Sequence, residues 1–232
     1  MNLLIMVAVF SDEYSHHADV IQQTWDATPV AGVRVVYVWS DKHDSFDGRN
    51  LRLKCGDAVI SRHVTFPGWV DTFRPILNYA CQNMEFSHIL LTNVSSYWNK
   101  QKLAAAVELL PVMRCAASSP TGCVLSGAGC LLSRDVAEYV FKNQHRWNDE
   151  APSDMALSIL VREIIPEENF TPLTRVDYTS GIADVNIDDL HRHYHFRCKV
   201  CYNDGIRLDA TPKDRSADLA VMARIHELLQ AL

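Results

Sequence analysis

Ser87-His88-Ile89-Leu90-Leu91-Thr92-Asn93-Val94-Ser95-Ser96-Tyr97-Trp98-Asn99 is the stretch whose reading decides the fold. Ile89, Leu90 and Leu91 form a continuous apolar run, the pattern of a strand covered on both faces. The run stops at small polar residues, and a helix pattern follows. In a three-layer α/β fold, that junction is where a ligand meets the carboxyl edge of the sheet.

The same pattern recurs outward from this stretch. Leu3 to Phe10 and Val33 to Trp39 are further apolar runs. Between the runs lie helical patterns. His16 to Trp25 places Ala18, Ile21 and Trp25 on one face. Pro75 to Cys81 opens with a proline suited to a first turn. Asn99 to Leu110 carries Leu103, Val107 and Leu110, with Asn99 placed to cap. Strands are expected at Val112 to Ala117 and Gly122 to Leu125. Further helices are expected from Ser133 to Asn143, from Ser153 to Ile164 ahead of Pro166, and from Ser216 to Leu229. Alternating strands and helices predict an α/β three-layer sandwich with a mostly parallel central sheet. The 232 residues suffice for one domain, 1–232, with a nucleotide-binding half at 1–120 and an acceptor-binding half with the C-terminal helix at 121–232.

Composition narrows the class. The chain is 48% hydrophobic and 22% charged with a net charge of −6, which gives no global attraction to nucleic acid or anionic membrane. Seven scattered cysteines favour free thiols in a reducing compartment over a disulfide framework. Met1 to Phe10 lacks a basic leader region and reads as a buried strand, and no stretch reaches the length of a membrane span. The expected location is cytoplasmic.

His191 to Tyr202 alternates as a strand would. One face carries His191, His193, His195, Arg197 and Lys199, and the other Tyr194, Phe196, Cys198, Val200 and Tyr202. The first face is a cationic stripe fit for phosphate oxygens, or else a solvated polar face. Cys198-x-x-Cys201 beside histidines also suggests zinc, but on a strand the two thiols point to opposite sides.

Three blocks resemble, in order, those of the β-1,3-galactosyltransferase and fringe-like glycosyltransferases, which have the GT-A fold. Val20-Ile21-Gln22-Gln23-Thr24-Trp25 resembles the family's Ile-Arg-x-Thr-Trp helix. Trp69-Val70-Asp71-Thr72-Phe73-Arg74-Pro75-Ile76-Leu77 is similar to its Asp-x-Tyr-x-Asn-Leu segment. Leu125-Ser126-Gly127-Ala128-Gly129-Cys130-Leu131-Leu132-Ser133 is similar to its Ser-Gly-Gly-Gly-Tyr-x-Leu-Ser turn. Ser153-Asp154-Met155 then stands where the family has Glu-Asp-Val. The resemblance spans roughly residues 3 to 165.

The resemblance implies an inverting glycosyltransferase that moves a sugar from a nucleotide-diphosphate donor, expected to be a UDP-sugar, to a hydroxyl acceptor. It implies that Val9, Phe10, Ser11 and Asp41 hold the nucleoside, with Asn93 and Ser95 beside them, and that Asp154 acts as base. Trp69, Asp71, Ser126 and Gly127 would meet the sugar or acceptor. Asn93 to Ser96 replace the family's metal-binding Asp-x-Asp. Neutral oxygens bind divalent ions poorly, so the expected cofactor is none, or a weakly held manganese or magnesium ion. The diphosphate would then face His193, His195, Arg197 and Lys199.

Between Leu190 and Ser216, six Lys or Arg outnumber three Asp, so a hydroxylated DNA base is a possible acceptor beside a glycan. A degenerate domain that binds a nucleotide or glycan without transfer is the alternative.

Overall fold

The computed structural model describes residues 1–9, 14–54, 72–118, 125–200 and 215–232. In chain order the elements are β1 (Leu3–Ala8), α1 (Ser15–Gln23), β2 (Val33–Asp41), β3 (Ser45–Phe46), β4 (Asn50–Lys54), α2 (Phe73–Asn83), β5 (His88–Asn93), β6 (Ser96–Trp98) and α3 (Lys100–Glu108). There follow β7 (Ala116–Ser118), β8 (Gly129–Ser133), α4 (Arg134–Lys142), α5 (Ser153–Arg162), β9 (Thr171–Pro172), β10 (Arg175–Tyr178), α6 (Ile187–Arg192), β11 (His195–Cys198) and α7 (Ser216–Ala231).

Among the described residues the central sheet runs β3-β4-β2-β1-β5-β8-β7-β9. It is mixed, which corrects the expectation of a mostly parallel sheet. Four pairings are parallel (β1–β2, β1–β5, β2–β4, β7–β9) and three antiparallel (β3–β4, β5–β8, β7–β8). The reversal starts at β8, which runs against β5 and pairs Thr92 with Gly129. A second sheet, β10-β11-β6, lies apart from the first.

Continuous apolar strands need two covered faces, and this sheet has them. Along β1, Leu4, Met6 and Ala8 pack into one core with α2, α4 and α5. Leu3, Ile5 and Val7 pack into another with α1, α3, α7 and the second sheet. Leu90 of β5 faces the second core, while Ile89 and Leu91 face the first. The layering expected from the sequence is therefore present.

Local signals explain several boundaries. Asn99 caps α3, its side chain accepting from the Lys102 N–H. Ser133 stands at the N-cap position of α4 but donates its hydroxyl to Asp135 Oδ1 at 2.6 Å instead of capping. Asp135 in the first turn and Lys142 in the last oppose the helix dipole favourably.

Two strand expectations need correction. Residues 112–114 are not strand: Arg114 has φ 52, and pairing begins only at Ala116. Part of the expected strand from Gly122 to Leu125 lies outside the described residues, and the buried strand is Gly129–Ser133. The strand expected from His191 to Tyr202 is limited to four residues. Asn186 caps α6 by accepting from the Asp188 N–H, and Asp188 and Asp189 favour its first turn, so His191 and Arg192 are helical. Cys201 and Tyr202 lie outside the described residues. No helix among the described residues is long and apolar enough to cross a membrane.

Candidate active site

The parallel strands β1, β2 and β5 end at one edge of the sheet. Ala8 pairs with Val38 on one side and Asn93 on the other. Val9 extends this row, buried, with its N–H on Val38 O at 2.9 Å. Asp41 lies three residues beyond Val38, about 10 Å further along β2 at roughly 3.3 Å per residue. There it accepts from the Lys42 N–H and pairs with Arg52 Nη1 at 3.2 Å. The Lys42 hydrogen bond, with help from Arg52 and His43, lowers its pKa. Asp41 shares the edge but is turned to its own neighbours. Phe10, Ser11, Trp69 and Asp71 lie outside the described residues.

The loop after β5 is closed by its own hydrogen bonds. Ser95 donates both N–H and hydroxyl to Asn93 Oδ1, at 3.0 and 2.7 Å. Asn93 Nδ2 donates to Gly127 O at 3.0 Å. The Asn93 carboxamide thus joins the loop after β5 to the segment before β8. Its donor set does not fit a tightly held divalent ion, because the oxygen is neutral and already accepts two protons. No cluster of three His, Cys, Asp or Glu suited to a metal occurs among the described residues.

The Ser126–Gly129 segment is the centre of the site. Thr92 Oγ1 and Ser96 Oγ both donate to Ala128 O at 2.7 Å. Trp98 Nε1 donates to Thr92 Oγ1 at 3.0 Å. Gly129 lies against Trp98: a Cβ there would stand 2.5 Å from Trp98 Cζ2. The glycine therefore sits in a strand, and the indole occupies the space a side chain would need.

Asp154 meets this segment from α5. Its Oδ2 accepts from the Gly127 N–H at 3.2 Å and its Oδ1 from the Met155 N–H at 3.0 Å. Burial raises its pKa above the usual carboxylate range, against the opposing pull of those amides and Arg197. A half-buried carboxylate held by backbone donors, with its proton affinity raised, is suited to general-base work. As a first-turn acid it also favours the start of α5.

The four expected cationic contacts separate. Arg197 on β11 pairs in register with Ser96, and its charge acts on both Asp154 and His195. Lys199 lies past the end of β11, half-buried, its N–H on Tyr178 O. His193 terminates α6, its N–H on Asp189 O. His195 corrects the cationic-stripe expectation. It is fully buried and stacks on Trp98 with ring centroids 3.7 Å apart. Burial first, then Arg175 and Arg197, hold its pKa well below the ordinary value, so the ring is neutral. Its Nε2 lies 3.1 Å from Ser96 Oγ, whose proton is spent on Ala128 O, so Nε2 carries the hydrogen. Trp98, wholly buried, shows no face to an acceptor.

Sequence reading missed Arg175. It sits opposite His195 across β10 and β11, donates from Nη1 to Ser126 Oγ at 2.9 Å, and pairs through Nε with Asp177 Oδ1 at 2.6 Å. The only signal was the alternation Arg175-Val176-Asp177-Tyr178, which puts Arg175 and Asp177 on one face. Ser126 and Gly127, both expected to meet the sugar or acceptor, lie beside Arg175 and Asp154 respectively. Of the six basic residues between Leu190 and Ser216, Arg207 and Lys213 lie outside the described residues, as do the three acids Asp204, Asp209 and Asp214.

No family model matches the chain, and no curated protein sequence matches it. Solved structures do. The chain is similar to the galactosyltransferase LgtC in complex with donor and acceptor sugar analogues, at 10% identity and a TM-score of 0.51, covering 100% of this chain and 96% of that one. An active-site mutant of LgtC matches at 10% identity and a TM-score of 0.50, with the same coverage. LgtC is a GT-A glycosyltransferase, and the likeness shows that the chain has a GT-A-like fold.

Proposed function

We propose that this protein is a glycosyltransferase that uses a nucleotide-diphosphate sugar, of the UDP-hexose class, and transfers the sugar to a hydroxyl acceptor. The observation that carries the reading is the meeting of Asp154, the Gly127 amide and Arg197 at the carboxyl edge of a GT-A-like sheet. The nucleoside lies toward Val9, Asp41 and Asn93, and the sugar toward Ser126 and Gly127.

Asp154 accepts the proton of the acceptor hydroxyl as its oxygen attacks the anomeric carbon. The bond from that carbon to the diphosphate oxygen breaks, and attack opposite the leaving group inverts the centre. Arg197, with Arg175 beside it, faces the charge that develops on the departing diphosphate. The neutral loop of Asn93 and Ser95 supports a reaction that needs no tightly bound manganese or magnesium, and no step is assigned to a metal.

Purified protein incubated with UDP-hexoses in excess chelator tests this reading. Release of UDP, accelerated by a hydroxyl acceptor and giving the inverted anomer by NMR, is the expected result. Glycans and duplex DNA containing hydroxymethylated bases are the two acceptor arms, and the glycan is the one we favour. The second reading is a degenerate domain that binds sugar nucleotides without transfer, and it is favoured by the inward commitment of Asn93 and Ser95. Thermal stabilisation by UDP without any UDP release from its sugars would establish it; a ligand at 100 times its Kd adds about 2.7 kcal/mol.

A further inference from the structure

A cavity of about 330 Å³ lies between the end of α1, the β6–α3 junction and the last turns of α7, and its lining shares Trp98 with the candidate active site. Trp25 lines it. The Trp25 side chain packs into the core, yet its indole N–H has no hydrogen-bond partner. A buried donor of this kind is costly unless something in the adjoining space accepts from it. Across the cavity the Tyr97 hydroxyl lies 3.1 Å from His226 Nδ1. Asn99, whose side-chain oxygen is occupied in capping α3, is a lining residue. Gln230 is an exposed lining residue.

The charge of the lining decides the ligand class. Lys100 is its one lysine or arginine among the described residues, and it is neutralised. Its Nζ lies 2.6 Å from Asp26 Oδ1, and both side chains are nearly buried. Asp26 Oδ2 in turn accepts from Tyr37 and Arg49. What remains is a set of aromatic walls and hydrogen-bonding groups without a carboxylate, lysine or arginine. An anion finds no free cation there and a cation no free carboxylate. A hydroxyl-rich neutral ring presents apolar faces to aromatic side chains and hydroxyls to amides, imidazole and indole N–H. The volume lies at the small end of ligand sites, about 300–1,000 Å³, and suits one or two such rings.

We infer that this cavity is a second, non-catalytic carbohydrate site that holds a neutral hexose unit, with the Trp25 indole N–H donating to one of its hydroxyls. The inference does not depend on the proposed transfer reaction. It extends it, since a glycan held here would be anchored away from the reacting end.

The test follows the five indole N–H resonances in a ¹⁵N–¹H spectrum of the full chain while neutral methyl hexopyranosides are added. Trp25→Phe identifies the Trp25 resonance by its loss; backbone assignment of the wild type identifies it should that variant not fold. The expected result is a saturable millimolar shift of the Trp25 resonance with at least one hexoside. The shift should persist in Asp154→Asn and with UDP present, and weaken about fivefold in His226→Ala, the loss of one neutral hydrogen bond. No Trp25 shift with any hexoside would overturn the inference, whatever the outcome at Asp154. So would a shift produced by glucose 6-phosphate and by none of the neutral sugars.

Discussion

Arg134, at the edge where β1 and β5 begin, spends its guanidinium on the protein itself. It donates to Met84 O at 2.7 Å, Cys81 O at 2.8 Å and Glu138 Oε1 at 2.6 Å, and lies over the Phe86 ring. A hollow of about 600 Å³ lies at this edge. At the opposite edge Arg197 sits near a carboxylate whose proton affinity is raised, beside a loop pinned by buried hydroxyls. The difference teaches that volume does not make a site. Polar groups at the first edge are satisfied by helix ends, whereas the second edge holds charge where strands from distant parts of the chain converge.

The largest expected effect belongs to Asp154. Asp154→Asn should lower transfer by about 10²–10⁴-fold, the usual weight of a general base. Burial disfavours the ionised carboxylate in the folded state, so the wild type loses stability as pH rises through the raised pKa. The variant, neutral throughout, should melt at or above the wild-type temperature at pH 7. For the same reason the acid limb of the wild-type rate profile should fall above the ordinary Asp pKa of about 3.9. A limb at or below that value would remove Asp154 from the role.

Arginine replacements at the two edges sharpen the contrast. Arg197→Met should cost about 10²–10³-fold in rate, comparable to losing one charge-stabilising donor. Arg134→Met should leave the rate per folded molecule intact and cost about 2 kcal/mol of stability, as expected of hydrogen bonds from a charged group. Equal rate losses would erase the distinction between the edges.

His17 acts on stability alone. Burial first, then Arg215 and His16, depress its pKa to about 4. The folded protein therefore binds fewer protons than the unfolded chain between about pH 6.5 and 4. Stability is full above that window and falls by up to about 3 kcal/mol as pH drops through it. Chemical denaturation of His17→Gln should show a flatter slope across the window. The smallest effect is that of Gly129→Ala, where a methyl group meets Trp98 and His195. About 1–3 kcal/mol of overpacking is expected in the melting curve.

Legibility in the sequence follows the same divide. β1 and β5 were readable because burial on both faces leaves an unbroken apolar run, and the α3 start because Asn99 caps it. Gly127-Ala128-Gly129 reads as a turn. Yet Gly129 begins β8, because the Trp98 ring fills the position of its side chain, a contact between distant segments. Of the alternation from His191 to Tyr202, only His195–Cys198 is strand among the described residues, because α6 claimed its start through the Asn186 cap. His195 reads as a cation in any local window; only the Trp98 stack and full burial make it neutral. Asp154 was singled out by the resemblance alone, while Arg175 was not singled out at all, since one arginine in a short strand carries no local sign of its partner Ser126.

Hydrogen–deuterium exchange with and without saturating UDP asks directly which edge is the site. Slowed exchange is expected in residues 93–98, 125–131 and 153–157, with residues 81–87 and 134–138 unchanged. Protection centred on Cys81–Ser87 and Arg134–Glu138, with none around Gly127 and Asp154, would contradict that expectation.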